Sequence, residues 1–86
     1  MLTFQALVQR ELEYALSKHP NTLDTPEEVE RVVSAELAEF LAAAKGQSRR
    51  RRTAMLAELL SMAAMCQRAA EDMAIIHEYA IPFSAK

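Results

Sequence analysis

An all-α fold is predicted, an antiparallel bundle of about three helices completed by homo-oligomerisation. Three features of the 86-residue sequence predict it. Apolar residues recur at three- and four-residue steps along long segments, which is the spacing of one helix face. The chain has one glycine and no Asn-Gly or Asp-Gly dipeptide, so the tight hairpin turns of an all-β fold are missing. Residues 54–66 hold eleven apolar residues out of 13, with Glu58 and Ser61 the exceptions. A helix apolar on every side must be surrounded by protein, and two neighbours from one short chain are too few to do so. A chain of this length buries only about 60% of its unfolded surface, which also argues for a homodimer or higher homo-oligomer.

The first helix is expected over about residues 3–18, where Phe4, Leu7, Val8, Leu12, Ala15 and Leu16 form one stripe and Thr3 can cap the start. Pro20 breaks the pattern because it lacks an N–H and restricts His19 before it. The second helix opens on Thr25-Pro26-Glu27-Glu28, with a threonine at the N-cap, a proline at the first turn and a glutamate closing a capping box. It should run to Lys45, with Gly46 as its stop. Ser48 can cap a third helix reaching about Tyr79, before Pro82, so the short turn makes the second and third helices an antiparallel hairpin. The whole chain reads as one domain, 1–86, with residues 81–86 as a tail.

Composition excludes several kinds of chemistry. Twelve acidic against ten basic residues give a formal charge of −2, without the basic excess of a nucleic-acid-binding domain. One cysteine permits no intrachain disulfide and no cysteine-based zinc site; Cys66 is expected to be a buried small hydrophobe. One glycine cannot build a phosphate-binding glycine loop. The 54–66 run is too short, and carries a glutamate, to span a bilayer. With no cationic segment leading into an apolar one at the start, the expected location is cytoplasmic.

Two acids break the apolar stripes. At about 100° per residue, Glu36 falls within about 20° of Val29 and among Val32, Val33 and Phe40, with Glu39 at the stripe's edge. On the third helix Met62, Met65, Ala69 and Ile76 all lie within about 40° of Glu58, with Asp72 and Ser61 beside them. Glu36 is ten residues before Gly46 and Glu58 twelve after it, so an antiparallel hairpin sets them at similar height. A carboxylate in a core face must be paired, protonated or metal-bound. Arg31 or Arg68 can neutralise such a cluster, and so can a proton, or Glu39 can face water. A hard divalent cation, Mg²⁺ or Mn²⁺, is the functional alternative, with Glu36, Glu39 and Glu58 as ligands. Lys45 and Arg49, Arg50, Arg51 and Arg52 hold half the basic residues, and are either a phosphate clamp or a solvated helix start.

Glu36-Leu37-Ala38-Glu39 followed, after a short turn, by Glu58-Leu59-Leu60-Ser61 resembles the all-α nucleotide pyrophosphohydrolases of the MazG-like superfamily, over about residues 4–75. That family's pattern is Glu-Glu-x-x-Glu, then Glu-x-x-Asp on the paired helix. The resemblance implies Mg²⁺-dependent hydrolysis of a nucleoside triphosphate to the monophosphate and pyrophosphate, with Glu36, Glu39 and Glu58 as catalytic metal ligands. Ala35 and Ser61 depart from the pattern where acids would stand, leaving Ser61 and Asp72 as supporting groups at most. The alternative is a catalytically inactive, homo-oligomeric helical interaction module.

Overall fold

The computed structural model describes residues 2–47 and 49–75. These residues form three helices, α1 (Phe4–Lys18), α2 (Pro26–Ala44) and α3 (Arg51–Asp72), and no strand. The first two match the sequence-based boundaries to within a residue, and their caps explain why. Thr3 Oγ1 accepts from the Ala6 N–H at 3.0 Å. Thr25 Oγ1 accepts from the Glu28 N–H at 3.2 Å, and its hydroxyl donates to Glu28 Oε1. Both caps satisfy amide donors that the first turn of a helix leaves without a partner.

The third helix differs from expectation at both ends. It starts at Arg51 rather than residue 48, and Arg50 at its N-cap makes no side-chain capping bond. Ser48, the expected cap, lies outside the described residues, as do Ile76, His77 and residues 78–86. The helix ends at Asp72, well short of 79. The Ala74 N–H donates to the Glu71 carbonyl at 3.1 Å and the Ile75 N–H to the Ala70 carbonyl at 3.3 Å. These two bonds form a Schellman closure, which requires a left-handed residue. Ala74 takes that role with φ of 58°. Neither proline nor glycine marks this stop, so periodicity alone overran it. A Cβ in the left-handed region costs about 1 kcal/mol, so Ala74→Gly is expected to raise stability by about 0.5–1 kcal/mol in urea unfolding.

Gly46 does follow α2, but its φ is not positive. Its N–H donates to the Ala43 carbonyl at 3.2 Å, and an added Cβ would stand 3.3 Å from that oxygen. Close approach, rather than left-handed geometry, favours glycine there.

Helix α3 packs against both α1 and α2. Leu23, Glu28 and Val32 share a cavity lining with Met65 and Arg68, so the start of α2 meets the end of α3 and the two run antiparallel. The core is thin. Val8 and Leu12 of α1 meet Ala64 of α3, backed by Leu60, Ala63 and Met65. Alanines at 64 and 69, both buried, let the helices approach closely. Helix α2 buries no residue fully, and Leu37, Leu41, Leu56 and Leu59 each remain more than 40% exposed in the single chain. Within the 54–66 run, Ala54, Leu56, Ala57, Leu59 and Cys66 are exposed, whereas Ala64 is buried and the rest are half-buried. Among the described residues no helix is long and apolar enough to cross a membrane.

The connection between α1 and α2 is fastened to α3 by a buried arginine. Arg68, 4% exposed, donates through Nη2 to the carbonyls of His19 and Asn21. Its Nε lies 3.6 Å from Asp72 Oδ2, and that same oxygen accepts the Leu23 N–H at 2.7 Å.

Candidate metal centre

The hairpin brings together the two acids that interrupt the stripes. Glu36 and Glu39, on successive turns of α2, face Glu58 of α3, and each offers a carboxylate oxygen within 4.8 Å of the other two. Glu36 and Glu58 are half-buried and Glu39 is exposed. Hydrophobic patterning holds them there. The apolar residues around Glu36 on α2 and around Glu58 on α3 must face the neighbouring helix, and the acids within those stripes go with them.

Arg68 is committed to the 19–23 connection and to Asp72. The salt bridge of Arg68 is to Asp72 and not to Glu36, Glu39 or Glu58. Burial, first, and the neighbouring carboxylates of Glu39, Glu58 and Glu11 push the Glu36 pKa up. Glu58 is pushed up by burial, by a hydrogen bond with Glu39, and by the charges of Glu39 and Glu11. Glu36 Oε2 is buried and has no hydrogen-bond partner.

The donor set fits a hard divalent cation. It consists only of carboxylate oxygens, one of them buried and unpartnered, and it lacks the imidazole or thiolate that softer metals favour. Ligand oxygens about 2.1 Å from Mg²⁺ sit roughly 3 Å from one another.

Other expected site residues lie elsewhere. Asp72 sits in the Arg68 clasp near the end of α3, where its carboxylate accepts the Leu23 N–H. Arg49, Arg51 and Arg52 line a separate cavity of about 320 Å³ with Gly46 and Gln47, and none of the three acids lines it. Six residues separate Arg52 from Glu58, about 9 Å along the helix, which sets the run at the turn rather than over the acids. Cys66 is exposed rather than buried, because Ala64, Arg68 and Ala69 take the inward positions of that turn. Ser61 donates to Glu11 Oε1 at 3.4 Å, a partner on α1.

A cavity of about 380 Å³ opens beside Glu36, lined by Glu11, Tyr14, Lys18, Ser61 and Arg68 among others. That volume falls within the range of small-molecule sites. The Lys18 ammonium stands 5.6 Å from the centre of the Tyr14 ring. None of these α1 residues was a sequence-based candidate. Glu11 was legible, since Leu7, Glu11 and Ala15 follow one another at four-residue steps along the apolar stripe.

Comparison with protein-family models, with curated proteins and with solved structures returns no match to this chain. The fold and the site thus define a class in physical terms only: a small all-α chain with a carboxylate cluster between two antiparallel helices.

Proposed function

We propose that this chain is a Mg²⁺- or Mn²⁺-dependent nucleoside triphosphate pyrophosphohydrolase of the MazG-like kind, acting as a homodimer or higher homo-oligomer. The observation that carries the reading is the convergence of Glu36, Glu39 and Glu58 around a buried, unpartnered carboxylate oxygen. Uncompensated acids are expensive to keep in an apolar interface unless a cation joins them. When bound, the cation neutralises phosphate oxygens and makes a water more acidic. Glu39, the exposed member of the three, would be the carboxylate suited to accept a proton from a water. Glu36 and Glu58, half-buried between α2 and α3, would be the other two ligands. The adjoining cavity receives the nucleotide, with Lys18 as the cation within it that can meet a phosphate.

Calorimetric titration with Mg²⁺ and Mn²⁺, with and without a non-hydrolysable nucleoside triphosphate, tests the reading. Saturable cation binding that tightens with nucleotide is expected, together with pyrophosphate release from a hydrolysable substrate. No binding in either case would overturn it.

A second reading draws on the exposed Leu37, Leu41, Leu56 and Leu59 and on the acids missing at Ala35 and Ser61. In it the chain is an inactive homo-oligomeric interaction module. Sedimentation showing an oligomer, with no cation binding in the titration, would favour that module.

A further inference from the structure

We propose that the face of the α2–α3 hairpin turned away from α1 receives a second copy of this chain, with the two α3 helices antiparallel and the two turns at opposite ends of the dimer. The inference rests on the oligomer part of the reading above and is independent of the cation. On one side of α3, Ser61, Ala64 and Arg68 meet α1 and the connection that follows it. At about 100° per residue Leu59, Cys66 and Ala70 lie on the other side, about 80–120° from Glu58. Leu37 and Leu41 lie about 100–140° from Glu36 in the same sense. Glu36 faces Glu58 across an antiparallel hairpin, so both sets fall on one open face. Leu37 and Leu41 are each 46% exposed, Leu56 43% and Leu59 41%. The buried apolar residues among those described are only Val8, Leu12, Ala64 and Ala69. The single chain thus leaves more leucine on this face than it buries, and so small a core gains stability from further burial.

The face is patterned for a helix of its own kind. Leu56, Leu59, Ala63, Cys66 and Ala70 follow one another at alternating steps of three and four, the spacing of a coiled-coil seam. Bulk lies in the first half of the seam and small side chains in the second. An antiparallel copy centred near Ala63 sets the leucines over the partner's Cys66 and the partner's Ala70, whereas a parallel copy stacks leucine on leucine and leaves gaps beside the alanines. Charge selects the same direction. Arg49, Arg51 and Arg52 stand at the start of α3 and Glu71 near its end, all of them exposed. Turns at opposite ends bring the arginines beside the partner's Glu71 and the carbonyl end of its third helix. Turns at the same end would set one arginine run against the other. A two-fold pair makes the favourable contact twice.

Sedimentation equilibrium of the wild-type chain at micromolar concentration is expected to return about twice 9.6 kDa. Leu59→Lys should weaken association by about tenfold or more while keeping its helix content in circular dichroism, since this side chain is 41% exposed in the single chain. Should that variant lose helix content, the exposed charges replace it: Arg52→Glu weakens the dimer, and Glu71→Arg in the same background restores it. Disulfide trapping reads the direction. In the antiparallel register two Cys66 residues stand about six residues apart, about 9 Å along the axis, beyond the reach of a disulfide. Ala63→Cys in a Cys66→Ala background meets its own copy at the centre and should link under mild oxidation. A wild-type monomer overturns this surface and the oligomer reading together. A dimer that survives Leu59→Lys unweakened, or that links readily through Cys66, overturns the antiparallel surface and leaves the oligomer reading standing. Cation titration is read separately, so its failure leaves this surface in place.

Discussion

Arg68→Ala is expected to lower the unfolding free energy by about 2–4 kcal/mol, in a domain whose total is of order 5–10 kcal/mol. The side chain is 4% exposed and donates to two main-chain carbonyls, His19 and Asn21, while facing Asp72. Its removal leaves a half-buried carboxylate without its cation and two carbonyls without their donor. Breaking a buried pair from one side costs more than the pair is worth, because the remaining group is desolvated and alone. Arg68→Lys should rescue little. A single ammonium cannot reproduce the planar fork that spans two carbonyls and a carboxylate. Urea unfolding of the two variants checks both statements, and a loss below about 0.5 kcal/mol for alanine would refute the clasp.

Glu36→Gln is expected to act in opposite directions with and without a divalent cation. In chelator the variant should be more stable than wild type by about 1 kcal/mol near neutral pH, because a neutral amide removes the cost of burying a charge and the repulsion with Glu39, Glu58 and Glu11. With Mn²⁺ present it should gain nothing, whereas the wild type gains the binding free energy of the ion. The pH dependence has a definite sign. Glu36 and Glu58 hold their protons more tightly folded than unfolded, their pKa values being raised from the ordinary 4.5. Above that value the folded state binds the extra protons, so stability falls as pH rises through the raised pKa values. Below about 4.5 the repulsive penalty is absent. Metal-free wild-type protein should therefore become more stable as pH falls towards 5, with a shallower slope in Glu36→Gln and in wild type with Mn²⁺. Thermal melts across pH in chelator measure it; stability from these groups that instead rises with pH would contradict the clustered arrangement.

The start of α2 was legible because its signal is local. Thr25, Pro26 and Glu28 satisfy amide donors within one turn of themselves, and no other part of the chain needs to be known. The pairing of Glu36 with Glu58 was legible for a different reason. A helical wheel fixes which residues share a face, and a short turn fixes which helix that face meets. The end of α3 was not legible. An alanine in left-handed geometry closes it, and nothing in the composition around Ala74 distinguishes that residue from a helix interior. The same holds for Cys66, an apolar residue by type that sits on the outward side of a turn whose inward positions are taken.

What the sequence by itself determined is the set of helices and the two acids set into their stripes, since capping and 3.6-residue periodicity are properties of neighbours along the chain. Where the arginines act was decided only by tertiary structure. Arg68 could as readily have met Glu36 as the carbonyls of His19 and Asn21, and the folded connection before α2 made that choice. The approach of Glu11 to Ser61, fifty positions away, was likewise set by how α1 lies against α3. Local patterns state which face a side chain occupies. Only the packing of one face on another states which groups are left without a partner, and among the described residues Glu36 Oε2 is one of them.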